Sequence, residues 1–224
     1  MTKNHEYFIN EPEGAADATI IWLHGLGADG RDFAGIVDEL GLPLNHKVRF
    51  IFPSAPFENI TINQGMRMRA WYDIYNLNLS KKEDSTGVKK SQEFLNDLIQ
   101  SEIDKGIASK RIILGGFSQG GAMSLYTGLR CLQPLGGIIC LSAYLLLKAT
   151  LPAEGASANL KTPIFIAHGM FDPVVPYNLG QDVHNVLQQA HYNTEWHSYP
   201  MEHTLCLEEI AAIGAFIARC LGYA

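Results

Sequence analysis

The sequence has few cysteines, no excess of basic residues and no long apolar segment. The four cysteines form no C-x-x-C pair, and no histidine cluster has the spacing of a zinc site. The N-terminus lacks the apolar core of a secretion signal, and no apolar run is long enough to span a bilayer. We therefore expect no metal, no cofactor and no stable membrane anchor, and a reducing, cytoplasmic location.

The charge balance argues against a nucleic-acid partner. Lysine and arginine total 17 against 23 acidic residues, which gives a net charge of −6, and the basic residues are scattered. Hydrophobic residues make up 47% of the 224 positions and charged residues 18%, as is typical of a globular protein. Since there is no repeat or linker, we expect residues 1–224 to form a single domain.

Apolar runs alternate with helical patterns, which predicts an α/β fold with a mostly parallel sheet. Apolar and β-branched runs predict strands at 19–23, 48–52, 111–114, 137–141, 163–167 and 194–199, the last near a sheet edge. Apolar spacing of three and four predicts helices over 88–105, 119–131, 179–187 and 210–221. The segment 57–87 has no clear period and is predicted to be a loop over the sheet.

The pentapeptide 116–120 has the pattern G-x-S-x-G between a predicted strand and a predicted helix. A nucleophile in that context lies on a sharp turn with strained backbone angles, where side chains two residues away on either side would clash. The following helix N-terminus also favours negative charge. The motif predicts Ser118 as a nucleophile; the alternative is a glycine-rich turn that holds an ordinary serine.

A serine nucleophile needs a base and an acid, which follow it in the order acid, then histidine, in α/β-hydrolases. Asp172 comes just after the predicted strand 163–167, at the edge of the sheet where sites form; the alternative is an Asx turn before Pro173. His203 lies in the loop between the last strand and the last helix, so it is the candidate base. Surface or packing roles are expected for the other downstream histidines, His184, His191 and His197.

His168 precedes Asp172 and therefore breaks this chain order. We interpret it as a structural histidine at a strand end.

The loop His24-Gly25-Leu26-Gly27 follows the first predicted strand. In α/β-hydrolases such a loop supplies one oxyanion donor, and the residue after the nucleophile supplies the other. These donors would be the backbone N–H groups of Leu26 and Gln119. A tight turn without a function is the alternative.

The sequence resembles the carboxylesterase/acyl-protein thioesterase family, also described as the phospholipase/carboxylesterase family, over nearly its whole length. The matching motifs are W-L-H-G-L-G-A-D-G at 22–30, F-P-S-A-P at 52–56, A-W-Y-D-I at 70–74, R-I-I-L-G-G-F-S-Q-G-G-A at 111–122, H-G with the following Asp172, and Y-P-M-E-H at 199–203. The resemblance implies an α/β-hydrolase fold with helices flanking the sheet, and the chain is too short for a large cap domain.

Carried over to this sequence, the family pattern implies Ser118, Asp172 and His203 as the catalytic triad and Leu26 and Gln119 as oxyanion donors. One departure is Glu202, where the family usually has glycine. Its carboxylate either points toward the imidazole or faces solvent.

We therefore expect a serine carboxylesterase that cleaves short- to medium-chain acyl esters through an acyl-enzyme. Acyl-protein thioesterase or lysophospholipase activity on the same site, and a homodimer, are compatible with the resemblance. A catalytically silent binding module of the same fold is the alternative.

The resemblance favours an acyl site lined by apolar residues of two irregular segments. These residues are Ile74, Leu77 and Leu79 in the first segment and Leu145, Leu146 and Leu147 in the second. Ordinary packing of these loops against the core is the other interpretation.

Overall fold

The computed structural model describes residues 6–76 and 82–223. Its strands are β1 (Tyr7–Asn10), β2 (Ala18–Leu23), β3 (Val48–Pro53), β4 (Phe57–Ile60), β5 (Met66–Arg69), β6 (Ile112–Phe117), β7 (Gly137–Leu141), β8 (Ile164–Gly169) and β9 (Thr194–Tyr199). Its α-helices are α1 (Ile36–Glu39), α2 (Ser85–Asp104), α3 (Gln119–Arg130), α4 (Leu151–Glu154), α5 (Tyr177–Gln189) and α6 (Leu207–Leu221).

A seven-stranded sheet with the order β1-β3-β2-β6-β7-β8-β9 forms the centre of the molecule. All neighbours in it are parallel except β1, which pairs antiparallel with β3 at one edge. Because the strands are parallel, the segments that follow β2, β6, β8 and β9 emerge at the same edge of the sheet. This edge therefore collects loops that are far apart in sequence.

Two apolar cores cover the two faces of the sheet. Side chains alternate between the faces along a strand, so that Ile21 and Leu23 of β2 pack in one core while Ile20 and Trp22 pack in the other. The first core contains the apolar faces of α2, α3 and α5, and the second contains those of α1 and α6. Burial on both faces explains why the central strands are nearly continuous apolar runs.

The predicted α/β class with a mostly parallel sheet flanked by helices is confirmed, and no large cap is evident in the described residues. The predicted sheet strands recur within a few residues, and β9 lies at the sheet edge as expected. No helix within the described ranges is both long and apolar enough to cross a membrane.

The prediction of a simple loop over 57–87 was wrong. This segment contains the antiparallel hairpin of β4 and β5 and the start of α2, which the Asp84 side chain caps by accepting the N–H of Gly87. Strand β1 was also missed. These strands have only four residues each, so each carries a weak periodicity signal.

Gly214 is where α6 meets the end of α1. A Cβ at this position would lie 1.7 Å from the backbone oxygen of Leu40, far inside van der Waals contact. The helix can approach this closely only because residue 214 has no side chain.

We expect Gly214→Ala to lower the free energy of unfolding by about 1–3 kcal/mol, because the added methyl group overpacks this contact. Helix propensity alone predicts the opposite sign, a gain of about 1 kcal/mol. Urea denaturation followed by circular dichroism would measure the change. Gly35→Ala is the matched control, since a Cβ there meets nothing within 4 Å. Stabilisation by Gly214→Ala would contradict the packing argument.

Candidate active site

Ser118 lies on the turn between β6 and α3 with φ of 55° and ψ of −121°. Residues other than glycine rarely adopt these backbone angles. A Cβ on Gly116 would lie 2.6 Å from Gly120 backbone atoms, and a Cβ on Gly120 would lie 2.3 Å from the Leu23 oxygen. The expected need for glycine on both sides of the turn is confirmed. The Ser118 N–H donates to the Leu141 oxygen at 2.8 Å, which holds the turn against β7.

One chain of hydrogen bonds joins Ser118, His203 and Asp172. The Ser118 hydroxyl donates to His203 Nε2 at 3.0 Å, and His203 Nδ1–H donates to Asp172 Oδ2 at 2.6 Å. The tautomer follows from the carboxylate, which can only accept. The Asp172 side chain is fully buried, whereas that of His203 remains 16% exposed. This arrangement is the one that general-base activation of a serine requires.

The Asp172 carboxylate is held by the turn that it caps. Its Oδ1 accepts the backbone N–H groups of Val174 and Val175, both at 2.8 Å, which leaves Oδ2 directed to His203. The Asx turn that sequence offered as an alternative role is therefore present together with the contact to the imidazole. His168 is fully buried at the end of β8, as expected of a structural histidine.

The loop that carries His203 is packed tightly on the end of β8. A Cβ on Gly169 would lie 2.3 Å from the Glu202 oxygen, and the Phe171 N–H donates to the Met201 oxygen at 3.0 Å. The His203 ring lies 4.7 Å from the Phe117 ring, centroid to centroid. The Glu202 side chain is exposed, so of its two possible orientations it takes the one toward solvent.

The remaining downstream histidines lie in other contacts. His197 stacks on Phe165 with centroids 4.5 Å apart, and His184 shares a hydrogen bond with Thr194 Oγ1. His191 has φ of 63° just beyond the end of α5. Their expected packing and surface positions fit these contacts.

The loop after β2 is fixed beside Ser118 by a buried imidazole. His24 Nδ1–H donates to the Gly25 oxygen at 2.7 Å, and its Nε2 accepts the Ala55 N–H at 2.9 Å. Burial lowers the pKa of His24, so the ring is neutral and can act as donor and acceptor at once. A Cβ on Gly25 would lie 3.4 Å from the Ser118 Cβ, which shows how closely the loop approaches.

The Gln119 side chain is bound by backbone groups. Its Oε1 accepts the Trp71 N–H at 2.8 Å and its amide donates to the Tyr72 oxygen at 2.8 Å. The first turn of α3 is thereby held against the backbone of Trp71 and Tyr72. Leu26, Ser118 and Gln119 line the same pocket, as the expected oxyanion loop and nucleophile would.

This pocket has a cavity volume of about 190 Å³ and a largely apolar lining. The residues that line it are Leu26, Ile74, Asn76, Ser118, Gln119, Tyr144, Pro173, Val174, Val175, Pro176 and Leu179. Of the predicted acyl-site residues, Ile74 is in this lining, whereas Leu77 and Leu79 lie outside the described residues. Leu145 and Leu146 instead pack in the core, and Leu147 packs against it.

The placement of Leu145 corrects the expectation, since its neighbour Tyr144 takes the position at the pocket. The Tyr144 and Tyr72 hydroxyls are hydrogen-bonded at 2.7 Å. Burial raises the pKa of Tyr144 to about 12, so its hydroxyl keeps its proton at neutral pH. Sequence reasoning also missed Asn76, Val174 and Leu179; the apolar P-V-V-P run after Asp172 was the available signal.

A larger groove of about 530 Å³ lies between the β4–β5 hairpin and the start of α2, and Ser118 is not part of its lining. No group of three or more His, Cys, Asp or Glu side chains in residues 6–76 and 82–223 is placed to hold a metal ion.

Residues 4–221 match the phospholipase/carboxylesterase family. Acyl-protein thioesterase 1 of Neurospora crassa is 45% identical, over 91% of this chain and 87% of that protein. Acyl-protein thioesterase 1 of Gibberella zeae is 43% identical over 91% of both chains. The crystal structure of Zea mays acyl-protein thioesterase 2 is similar with a TM-score of 0.87 at 27% identity, and covers 97% of this chain and 99% of that one.

Glu209 is a buried carboxylate in the first turn of α6, just beyond the His203 loop. Its side chain is fully buried, and neither carboxylate oxygen has a hydrogen-bond partner in the described part of the chain. Burial raises its pKa to about 8. Glu209 is therefore largely protonated at neutral pH.

This burial makes the free energy of unfolding depend on pH. Between the unfolded pKa of 4.5 and the folded pKa of about 8, the folded chain holds a proton that the unfolded chain has lost. Stability therefore falls as pH rises through this window.

We expect Glu209→Gln to flatten that dependence and to be more stable than the unchanged protein above about pH 8, because the amide stays neutral. Denaturant titrations at about pH 5.5 and about pH 8.5 would measure the difference for each protein. Glu208→Gln is the control, since Glu208 is exposed on the same turn and should leave the pH dependence unchanged. An identical slope for Glu209→Gln and Glu208→Gln would refute the prediction.

Proposed function

The chain belongs to the phospholipase/carboxylesterase family, and from this premise we propose that Ser118, His203 and Asp172 are its catalytic triad. The protein is a serine hydrolase that acts on acyl esters or thioesters. The observation that carries the assignment is the unbroken chain of hydrogen bonds at 3.0 and 2.6 Å through the imidazole. A catalytically silent binding module is not favoured by the family match.

In the proposed reaction, His203 Nε2 takes the proton of the Ser118 hydroxyl as the oxygen attacks the acyl carbonyl. The backbone N–H groups of Leu26 and Gln119 stabilise the oxyanion that develops. His203 then gives its proton to the leaving alcohol or thiol. Water, activated in turn by His203, releases the acid from the acyl-enzyme. Asp172 keeps Nδ1 protonated and stabilises the imidazolium.

The apolar pocket supports acyl groups of short to medium length. A cavity of about 150 Å³ in another protein holds one benzene molecule. The 190 Å³ beside Ser118 therefore has room for roughly six to eight carbon atoms. Longer chains would extend past Val174, whose side chain is 54% exposed.

S-acylated proteins are the substrates that the relatives' names support, since the two fungal proteins are called acyl-protein thioesterases. Lysophospholipid hydrolysis is the second activity that we propose to test, because the family description includes phospholipases.

We further propose that residues 1–224 form one domain. We also propose a cytoplasmic location, which the four free cysteines support. A homodimer is proposed from the family resemblance and would be tested by analytical ultracentrifugation.

We expect Ser118→Ala to lower kcat by about 10,000-fold or more on p-nitrophenyl esters and on an S-acylated peptide, since the nucleophile is removed. The variant should also fail to react with a fluorophosphonate probe. Ser124→Ala is the matched control, because Ser124 lies on the same helix α3 with its hydroxyl buried. Substantial activity in folded Ser118→Ala would contradict the proposed mechanism.

We expect Leu179→Trp to shift the optimum of a p-nitrophenyl ester series, from acetate to palmitate, toward shorter chains. Leu179 lines the pocket, and a larger side chain there removes volume that the acyl chain needs. Rates on acetate should change by less than about threefold, since a short acyl group needs little of the pocket. Leu132→Trp serves as the control, because Leu132 is exposed outside the pocket. An unchanged optimum would place the acyl chain elsewhere.

A further inference from the structure

The imidazole of His168 is buried beside Asp172, and it takes no part in the proposed reaction. Its Nε2–H donates to the Val175 oxygen at 2.9 Å. The same nitrogen lies 3.5 Å from Asp172 Oδ2, which is the oxygen that accepts the His203 hydrogen bond. Two imidazoles, that of the fully buried His168 and that of the 16% exposed His203, therefore approach the same carboxylate oxygen.

The surroundings of His168 fix its tautomer. Burial lowers its pKa, so the ring is neutral and carries a single N–H, and the Val175 oxygen requires that hydrogen on Nε2. The opposite nitrogen, Nδ1, has no hydrogen-bond partner among the residues that the structure describes. It faces Gly180 of α5, where a Cβ would lie only 2.2 Å away. A proton on Nδ1 would find no acceptor there.

Val175 connects this imidazole to the acid. Its N–H donates to Asp172 Oδ1, and its carbonyl accepts from His168. The turn from Asp172 to Val175 is thus held through both backbone groups of Val175, its N–H and its C=O. If the carbonyl were released, the turn could rotate the carboxylate away from His203, and the 2.6 Å hydrogen bond would lengthen.

We propose that His168 is a positioning residue whose Nε2–H holds the turn from Asp172 to Val175 and so directs the Asp172 carboxylate at His203. This inference rests on the proposed catalytic triad and adds to it a residue that does not contact substrate. Gly180 takes part indirectly, since only a residue without a side chain leaves room for the ring.

The test compares two substitutions at His168. In His168→Leu, which has no donor, kcat should fall about 10- to 100-fold, because a small displacement of a catalytic group costs up to this much. In His168→Gln, the side-chain amide can donate to the Val175 oxygen, so kcat should stay within about threefold of the unchanged protein. Proton NMR should show the downfield His203 Nδ1–H resonance in His168→Gln but not in His168→Leu.

Gly180→Ala tests the same idea from the other side of the ring. Its methyl group would displace the imidazole itself, so kcat should fall as in His168→Leu. Leu95→Ala is the stability control, because Leu95 is buried in α2, outside the pocket lining. It should lower the melting temperature and leave kcat unchanged.

Unchanged kcat in His168→Leu, with Ser118→Ala inactive, would overturn the role of His168 and leave the triad standing. Equal losses in His168→Gln and His168→Leu would overturn the role of the Nε2–H donor. If His168→Leu does not fold, Gly180→Ala decides by the same criterion. Activity retained in Ser118→Ala would instead remove the proposed function on which the inference rests.

Discussion

Gly116 and Gly120 bring the ends of β6 and β2 and the start of α3 closer together than side chains would allow. A Cβ on either residue would lie within 2.7 Å of backbone atoms. Between them, Ser118 takes a positive φ of 55°, which costs free energy that the surrounding packing must supply. The position of the hydroxyl, its distance to His203 and the approach of the loop after β2 all depend on this contact.

Three buried polar side chains around the turn bind backbone groups. His24 fixes the loop after β2, Gln119 holds the start of α3 against the Trp71 backbone, and His168 holds the turn after Asp172. Each of these bonds pairs a side chain with a backbone N–H or C=O group, as buried backbone groups require. Together they fix the site before substrate arrives, which is the arrangement that electrostatic stabilisation of a transition state requires.

The site has a polar part and an apolar part. The hydrogen-bonded chain through His203 begins at Ser118, and Ser118 also lines the pocket that contains Ile74, Tyr144 and Leu179. Apolar groups gain free energy from leaving water in a pocket with such a lining, and a few polar groups beside it can orient a bound molecule. The fold produces this division because the loops that follow different strands meet at one edge of the sheet.

The sequence alone determined those features that neighbouring residues encode. Apolar periodicity predicted the parallel sheet and its helices, and the glycines around Ser118 predicted a strained turn, because each signal lies within one short segment. Asp172 and His203 followed from their order along the chain. Only the tertiary structure decided which apolar residues face the pocket. Leu145 and Tyr144 are adjacent in sequence, and the turn around Ser142, with φ of 46°, places the tyrosine at the pocket and the leucine in the core. The role inferred for His168 likewise depends on Val175 of the turn after β8 and on Gly180 of α5, which reach the imidazole only in the folded chain.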